Sequence, residues 1–270
     1  MQKAEELSSF RQIGIVVRYE LLKHLRRKRI YAVLIIAALI GALQLFVPVI
    51  YNLGFPTQAT VWASGFFSFT SFLVIIVGTF FAGDAIASEF ELRTGYVIFP
   101  NPISRLLLML GKFAAALFSA LLAIGFYYAI GVGGLLGIYG FVPLEIAASF
   151  AYAVLAICVV LGFTFLFSSL IRGSMGATLL SFFMFLLILS TLRQVIALTG
   201  TEPWFMPDYP FGSIIQVINP QQDIVQEFPG SPIKIYSFYP KFPIDFAVLA
   251  SYSVATLALS MWVFRKKEMA

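Results

Sequence analysis

The sequence is poor in charge. Only 11% of its 270 residues are Asp, Glu, Lys or Arg, while 60% are hydrophobic. A soluble domain carries about 25% charged residues. A water-soluble fold cannot hide so much apolar surface, because a large share of any surface faces water. Histidine and cysteine are nearly missing, with one of each, His24 and Cys158. One His and one Cys cannot build the clustered site of a metal hydrolase. A lone thiol within an apolar run makes no intrachain disulfide and reads as a small buried residue. The phosphate-binding run G-x-x-x-x-G-K-[ST] is absent: Gly111-Lys112 lacks the upstream glycine and the Ser/Thr that should follow. There is no G-x-S-x-G elbow either. The expectation is a chain that is not an enzyme and holds no cofactor or metal of its own.

What the sequence does have is long apolar runs. A spanning helix needs about 20 mostly apolar residues. Six stretches qualify, near residues 30–51, 61–82, 106–131, 146–171, 175–198 and 246–264. Barrel strands would alternate apolar and polar, and these runs are continuous. The expected fold is an all-α polytopic membrane protein. It comprises an N-terminal amphipathic interfacial helix within residues 1–29, then a domain over 30–270 with about six transmembrane helices. A structured outside segment, 199–245, precedes the last helix. The first 29 residues are charged, so 30–51 reads as a retained span and not a cleaved leader.

The net charge of +5 does not point to nucleic acid, because its distribution follows the spans. Fifteen of the 18 Lys and Arg fall before the first span, in or around the second connection, in the fourth connection, or after the last span. The first and third connections have none. Positive charge marks the cytoplasmic side. Both termini are therefore expected in the cytoplasm of a multi-pass protein in the cell membrane, with the bilayer as its solvent.

Residues 5–29 carry Leu7, Phe10, Ile13, Val17, Leu21 and Leu25 at helical steps, with basic residues over much of the rest. Such a helix lies at a membrane interface near anionic head groups. His24 reads as a solvated face residue with Glu20 in reach at i,i+4. The segment 84–105 is too polar to span. Ile86 and Phe90 share a helical face, and Glu89 and Arg93 form an i,i+4 pair. Thr94-Gly95 supplies a stop. Asn101 then reads as an N-cap with Pro102 in the first turn of the third span. In that span Gly133 and Gly137 make a small-xxx-small pair, read as packing within one subunit. The segment 199–245 holds eight of the 13 prolines and many aromatics, with helical character over 212–227 broken at Asn219-Pro220. It reads as short helices and turns on or dipping into the outer leaflet.

Ion-coupled transporters bury charged groups near the midplane. The span cores here are almost free of charge. Lys112 reads as snorkelling to the cytoplasmic side. Arg193, near the outer end of the fifth span, reads as snorkelling outward, with a pathway or outer-gate role as the second reading.

The segment Gly83-Asp84-Ala85-Ile86-Ala87-Ser88-Glu89-Phe90-Glu91-Leu92-Arg93-Thr94-Gly95, followed by Pro102-Ile103-Ser104-Arg105, resembles the signature of ABC-2-type permeases, the membrane subunits of type V ABC transporters. This chain has Thr-Gly where the family has Gly-Thr. Asn219-Pro220 ahead of the last span is similar to the family's external segment. The resemblance implies a permease subunit of an ATP-binding cassette exporter that forms a pathway with a second, identical or related permease subunit. Separate ABC ATPase subunits, carrying ATP and magnesium, would dock from the cytoplasm. The segment with Asp84, Ile86, Glu89, Phe90, Glu91 and Arg93 would be the coupling helix. The alternatives are a non-conducting membrane anchor of an ABC-like complex and, behind it, a secondary transporter.

Overall fold

The computed structural model describes residues 9–26, 28–91, 104–227 and 234–266. Among them, six helices are long and apolar enough to cross a bilayer. The chain is an all-α polytopic membrane protein. Helix α1 (Ser9–Arg26) comes first, then the first span α2 (Lys28–Ile50). The second span is α3 (Ala59–Phe67), α4 (Thr70–Ala82) and, after a short turn, α5 (Ala87–Glu91). Its expected start and end both move outward. Ser68 tightens the chain between α3 and α4, its N–H and hydroxyl both donating to the Gly65 carbonyl at 3.4 and 2.7 Å.

The third span α6 (Arg105–Tyr139) has 35 residues. At 1.5 Å per residue it is about 52 Å long, against an apolar bilayer core of about 30 Å. Its glycines do not end it where the apolar count did. Gly140, at φ 77° in the left-handed region, does so. Its cap at the other end is Ser104, whose hydroxyl accepts from Leu107 N–H at 3.2 Å. The expected cap Asn101 and its partner Pro102 lie outside the described residues, as do Arg93 and Thr94-Gly95. The small-residue expectation needs a second correction. A Cβ on Gly133 or Gly137 would meet nothing within 4 Å, whereas one on Gly131 would press on Phe67 and one on Gly134 on Trp62. The close approach inside this chain is therefore at Gly131 and Gly134.

The fourth span α7 (Glu145–Leu170) packs on α4 and on the last span α11 (Phe242–Lys266). The fifth span joins α8 (Ser174–Phe183), a π-helical turn at Met184–Leu189, and α9 (Ser190–Leu198). The core lies along α3, α4, α6 and α7. Phe66, Phe67, Tyr127 and Tyr128 interlock there, Phe67 stacking on Tyr128 at 4.4 Å between centroids. The polar atoms of this cluster are satisfied internally, as lipid requires. Gln44 donates to the Tyr127 hydroxyl at 2.8 Å, and Tyr128 and Ser149 share a hydrogen at 2.7 Å.

At the end opposite α1, residues 199–227 and 234–241 fold into a cap. A 3-10 turn (Tyr209–Gly212) and α10 (Ser213–Gln216) bury Tyr209, Phe211 and Ile214 among the spans. Phe211 stacks on Phe185 of the π-helical turn at 5.9 Å. The expected helix over 212–227 stops at Gln216. Beyond Asn219-Pro220 the chain becomes a hairpin, β1 (Ile224–Glu227) antiparallel to β2 (Lys234–Ser237), with Ile224 opposite Ser237. Ile224-Val225 is a β-branched pair, and the cross-strand ladder outweighs the weak helical pattern.

Candidate functional site

The segment 84–91 is the meeting point of the end that carries α1. Four other elements hold it directly, and α1 holds it through one of them. Asp84 pairs with Arg29 at the start of α2, Oδ2 to NH1 3.3 Å. Ser168 of α7 accepts from the backbone N–H of Ile86 at 3.1 Å and of Ala87 at 2.9 Å. A helix start leaves such donors without partners, and here the cap comes from a different span. Glu89 accepts from Lys112 of α6 at 2.8 Å. Lys112 also donates to Glu20 of α1 at 2.5 Å. Glu91 accepts from the backbone N–H of Ser174 at 2.8 Å and so caps α8.

Lys112 does not snorkel. Its side chain is 3% exposed and bridges two carboxylates from two separate elements. Two ionic hydrogen bonds offset the cost of keeping the ammonium from water. His24 is likewise not a solvated residue. It is buried, edge-on to Phe81 of α4 with centroids 5.3 Å apart. Helix α1 can lie this close because α6 offers Gly111, where a Cβ would come within 2.6 Å of Val16 Cγ1. The amphipathic helix therefore puts part of its apolar side on protein.

Of the expected coupling residues, Asp84, Ile86 and Glu89 are buried, Phe90 is half-buried and Glu91 is exposed. Arg93 lies outside the described residues. Lys112, Glu20, Ser168 and Ser174 belong to the same cluster and were missed as site residues. The signal was present in part: one Lys two turns into an otherwise apolar span, with carboxylates on the polar segments before it.

Burial works to raise the Glu20 carboxyl, but Lys112 and Lys23 outweigh it and hold the group below its ordinary value of 4.5. The folded state is then the stronger acid. Its carboxylate stabilises the docked α1 above pH 4.5, and that contribution fades as the pH falls through the lowered value. The gap in thermal midpoint between this protein and Glu20→Gln should shrink as the pH is taken below 4.5. A gap unchanged over that range would refute the Glu20–Lys112 contact.

At the far end Arg193 reaches Asp208 in the cap, Nε to Oδ2 3.6 Å. Burial raises the Asp208 carboxyl above the ordinary carboxylate range, and Arg193 offsets part of that. The Asp208 side chain is almost fully enclosed, and its Oδ1 has no hydrogen-bond partner among the described residues. Arg193 is thus tied to the cap and is not fully turned out to solvent.

Residues 15–269 match the family model described as ABC-2 family transporter protein. The match covers nearly the whole chain, and the protein belongs to that family, the membrane permease components of ABC transporters. No curated protein matches the sequence significantly.

Proposed function

We propose that this chain is the pathway-forming permease subunit of an ATP-binding cassette exporter, working as a dimer of permeases and driven by separate ATPase subunits. The ATPases dock at the end that carries α1, which faces the cytoplasm of the cell membrane and holds both termini. ATP and magnesium sit on those partners. The observation that carries this reading is the seating of 84–91. A short polar helix held by four spans and, through Lys112, linked to α1 moves those elements whenever a partner moves it. Buried Asp84, Ile86 and Glu89 transmit the motion, and Phe90 and Glu91 lie nearer the partner. The second permease is supported by the least covered spans. Only 17% of the apolar window of α2, and 17% of that of Ser174–Leu198, is buried within the chain.

The test uses single cysteines in a Cys158→Ser background, with the chain co-expressed with its ATPase. Glu91→Cys should cross-link to the ATPase, and Trp204→Cys at the far end should not. Trapping the nucleotide-bound state should change the labelling of Trp204→Cys. Cross-linking from position 204 but not 91 would overturn the docking site. Labelling at 204 that ignores nucleotide would leave a non-conducting anchor.

A further inference from the structure

Between the far end of the fifth span and the cap lies a cavity of about 460 Å³. Small-molecule sites usually run from roughly 300 to 1,000 Å³. Arg193 and Gln194 of α9 line one wall, Gln216 and Asn219 a second, and Tyr236 and Phe238 a third. Ala197, Pro203, Ile215 and Pro240 make part of the lining apolar, but the cavity is not apolar throughout. It joins one cation, several amides and a pair of rings.

Each wall limits what fits. Arg193 lines the cavity 34% exposed, and its contact with Asp208, at 3.6 Å, is longer than a hydrogen bond. Its guanidinium therefore keeps planar, forked donors for an anion. One such cation suits a single negative group, not a polyphosphate. The side chains of Gln194 and Asn219 make no hydrogen bond to any described residue. Amides that both donate and accept suit hydroxyl groups. Tyr236 and Phe238 stack almost parallel, 6° apart with centroids at 5.9 Å.

The walls are also fixed before any ligand arrives. Gly200 takes φ 77°, and a Cβ there would stand 3.2 Å from the Tyr236 ring. Lys241 holds Glu202 at 2.6 Å, and Asp223 accepts from Tyr239 N–H at 2.7 Å. A site fixed in advance spares the ligand the cost of ordering it.

We propose that this cavity binds a hydroxylated organic anion, such as an acidic sugar, free or as a lipid head group. Arg193 takes the anionic group, Gln194 and Asn219 take hydroxyls, and the Tyr236–Phe238 pair packs on the carbon skeleton. The inference goes beyond the transporter reading, and its test needs neither ATP nor a partner subunit.

The protein is placed in phosphatidylcholine nanodiscs and titrated calorimetrically with glucuronate, methyl glucoside and acetate. Saturable glucuronate binding, about tenfold tighter than for the other two, is expected. The variant Arg193→Gln with Asp208→Asn removes both members of this pair, so neither charge is left without the other, and should weaken binding by about tenfold or more. A second set of discs carries a glucuronosyl diacylglycerol. Saturation by free glucuronate assigns a soluble ligand. A raised thermal midpoint in the doped discs alone assigns the lipid head group. No response to either probe overturns the proposal. So does equal binding of methyl glucoside, or an equal response by the double variant.

Discussion

Lys112→Met is expected to destabilise the protein by about 3–5 kcal/mol, the cost of breaking a buried ion pair from one side. Methionine fills most of the space but removes the cation that bridges the Glu20 and Glu89 carboxylates, leaving Glu20 with Lys23 alone at 3.2 Å, in a site where Lys112 was 3% exposed. The variant should lose α1 first. Protease cleavage within Ser9–Arg26 and a lower thermal midpoint would report it. The triple variant Glu20→Gln, Lys112→Met, Glu89→Gln removes all three charges and should recover most of the stability, since apolar or neutral replacement of a buried triad is often close to neutral. If the triple variant is stable but its ATPase complex no longer responds to nucleotide, the triad transmits motion as well as holding the fold. A single Lys112→Met variant as stable as this protein would show that the triad does not form.

Gly83→Val should be the most damaging change at any glycine of the second span. A Cβ on Gly83 would lie 2.0 Å from Thr178 Oγ1, 2.7 Å from its Cβ and 2.9 Å from its Cα. A rotamer change can move the hydroxyl, but the Cα belongs to the α8 backbone. Helix α8 must therefore move away from α4. Overpacking of this kind costs typically 1–3 kcal/mol, and two further methyls should take it to about 3 kcal/mol or more. The site sits between α4 and the segment 84–91, so the displacement also disturbs the Glu91 cap on Ser174. Gly137→Ala is the control. Nothing lies within 4 Å of a Cβ there, and removing a glycine from a helix interior stabilises by about 0.5–1 kcal/mol. Thermal unfolding of both variants in one detergent checks the pair. Equal midpoints for the two would refute the close packing of α4 on α8.

The number of spans was legible because lipid imposes a single rule, about 20 apolar residues per crossing, that leaves little room for context. The helix ends were less so. Gly131 and Gly134 look like breakers in the sequence but serve as contact points for Phe67 and Trp62. The segment 84–91 stood out by polarity alone, and its resemblance to the ABC-2 signature pointed to the same residues. Its partners did not stand out. Ser168 is one of several serines on apolar spans, and nothing local distinguishes the hydroxyl that accepts from Ile86 and Ala87. Lys112 looked like a residue able to reach water, because a pattern of single residues carries no information about which carboxylates fold back over it. The hairpin was hidden for a similar reason. Two four-residue strands are too short to show a period, and the pairing of Ile224 with Ser237 is not a local property.

The order of residues in the triad also bears on how the chain enters the bilayer. Glu20 and Glu89 both precede Lys112 in the sequence. Chains are folded from the N-terminus as they are made. Both carboxylates have therefore left the ribosome before the ammonium does. When the third span partitions into lipid, its one buried cation meets counter-charges already waiting at the same face. The most expensive group in that helix never has to cross a lipid environment alone.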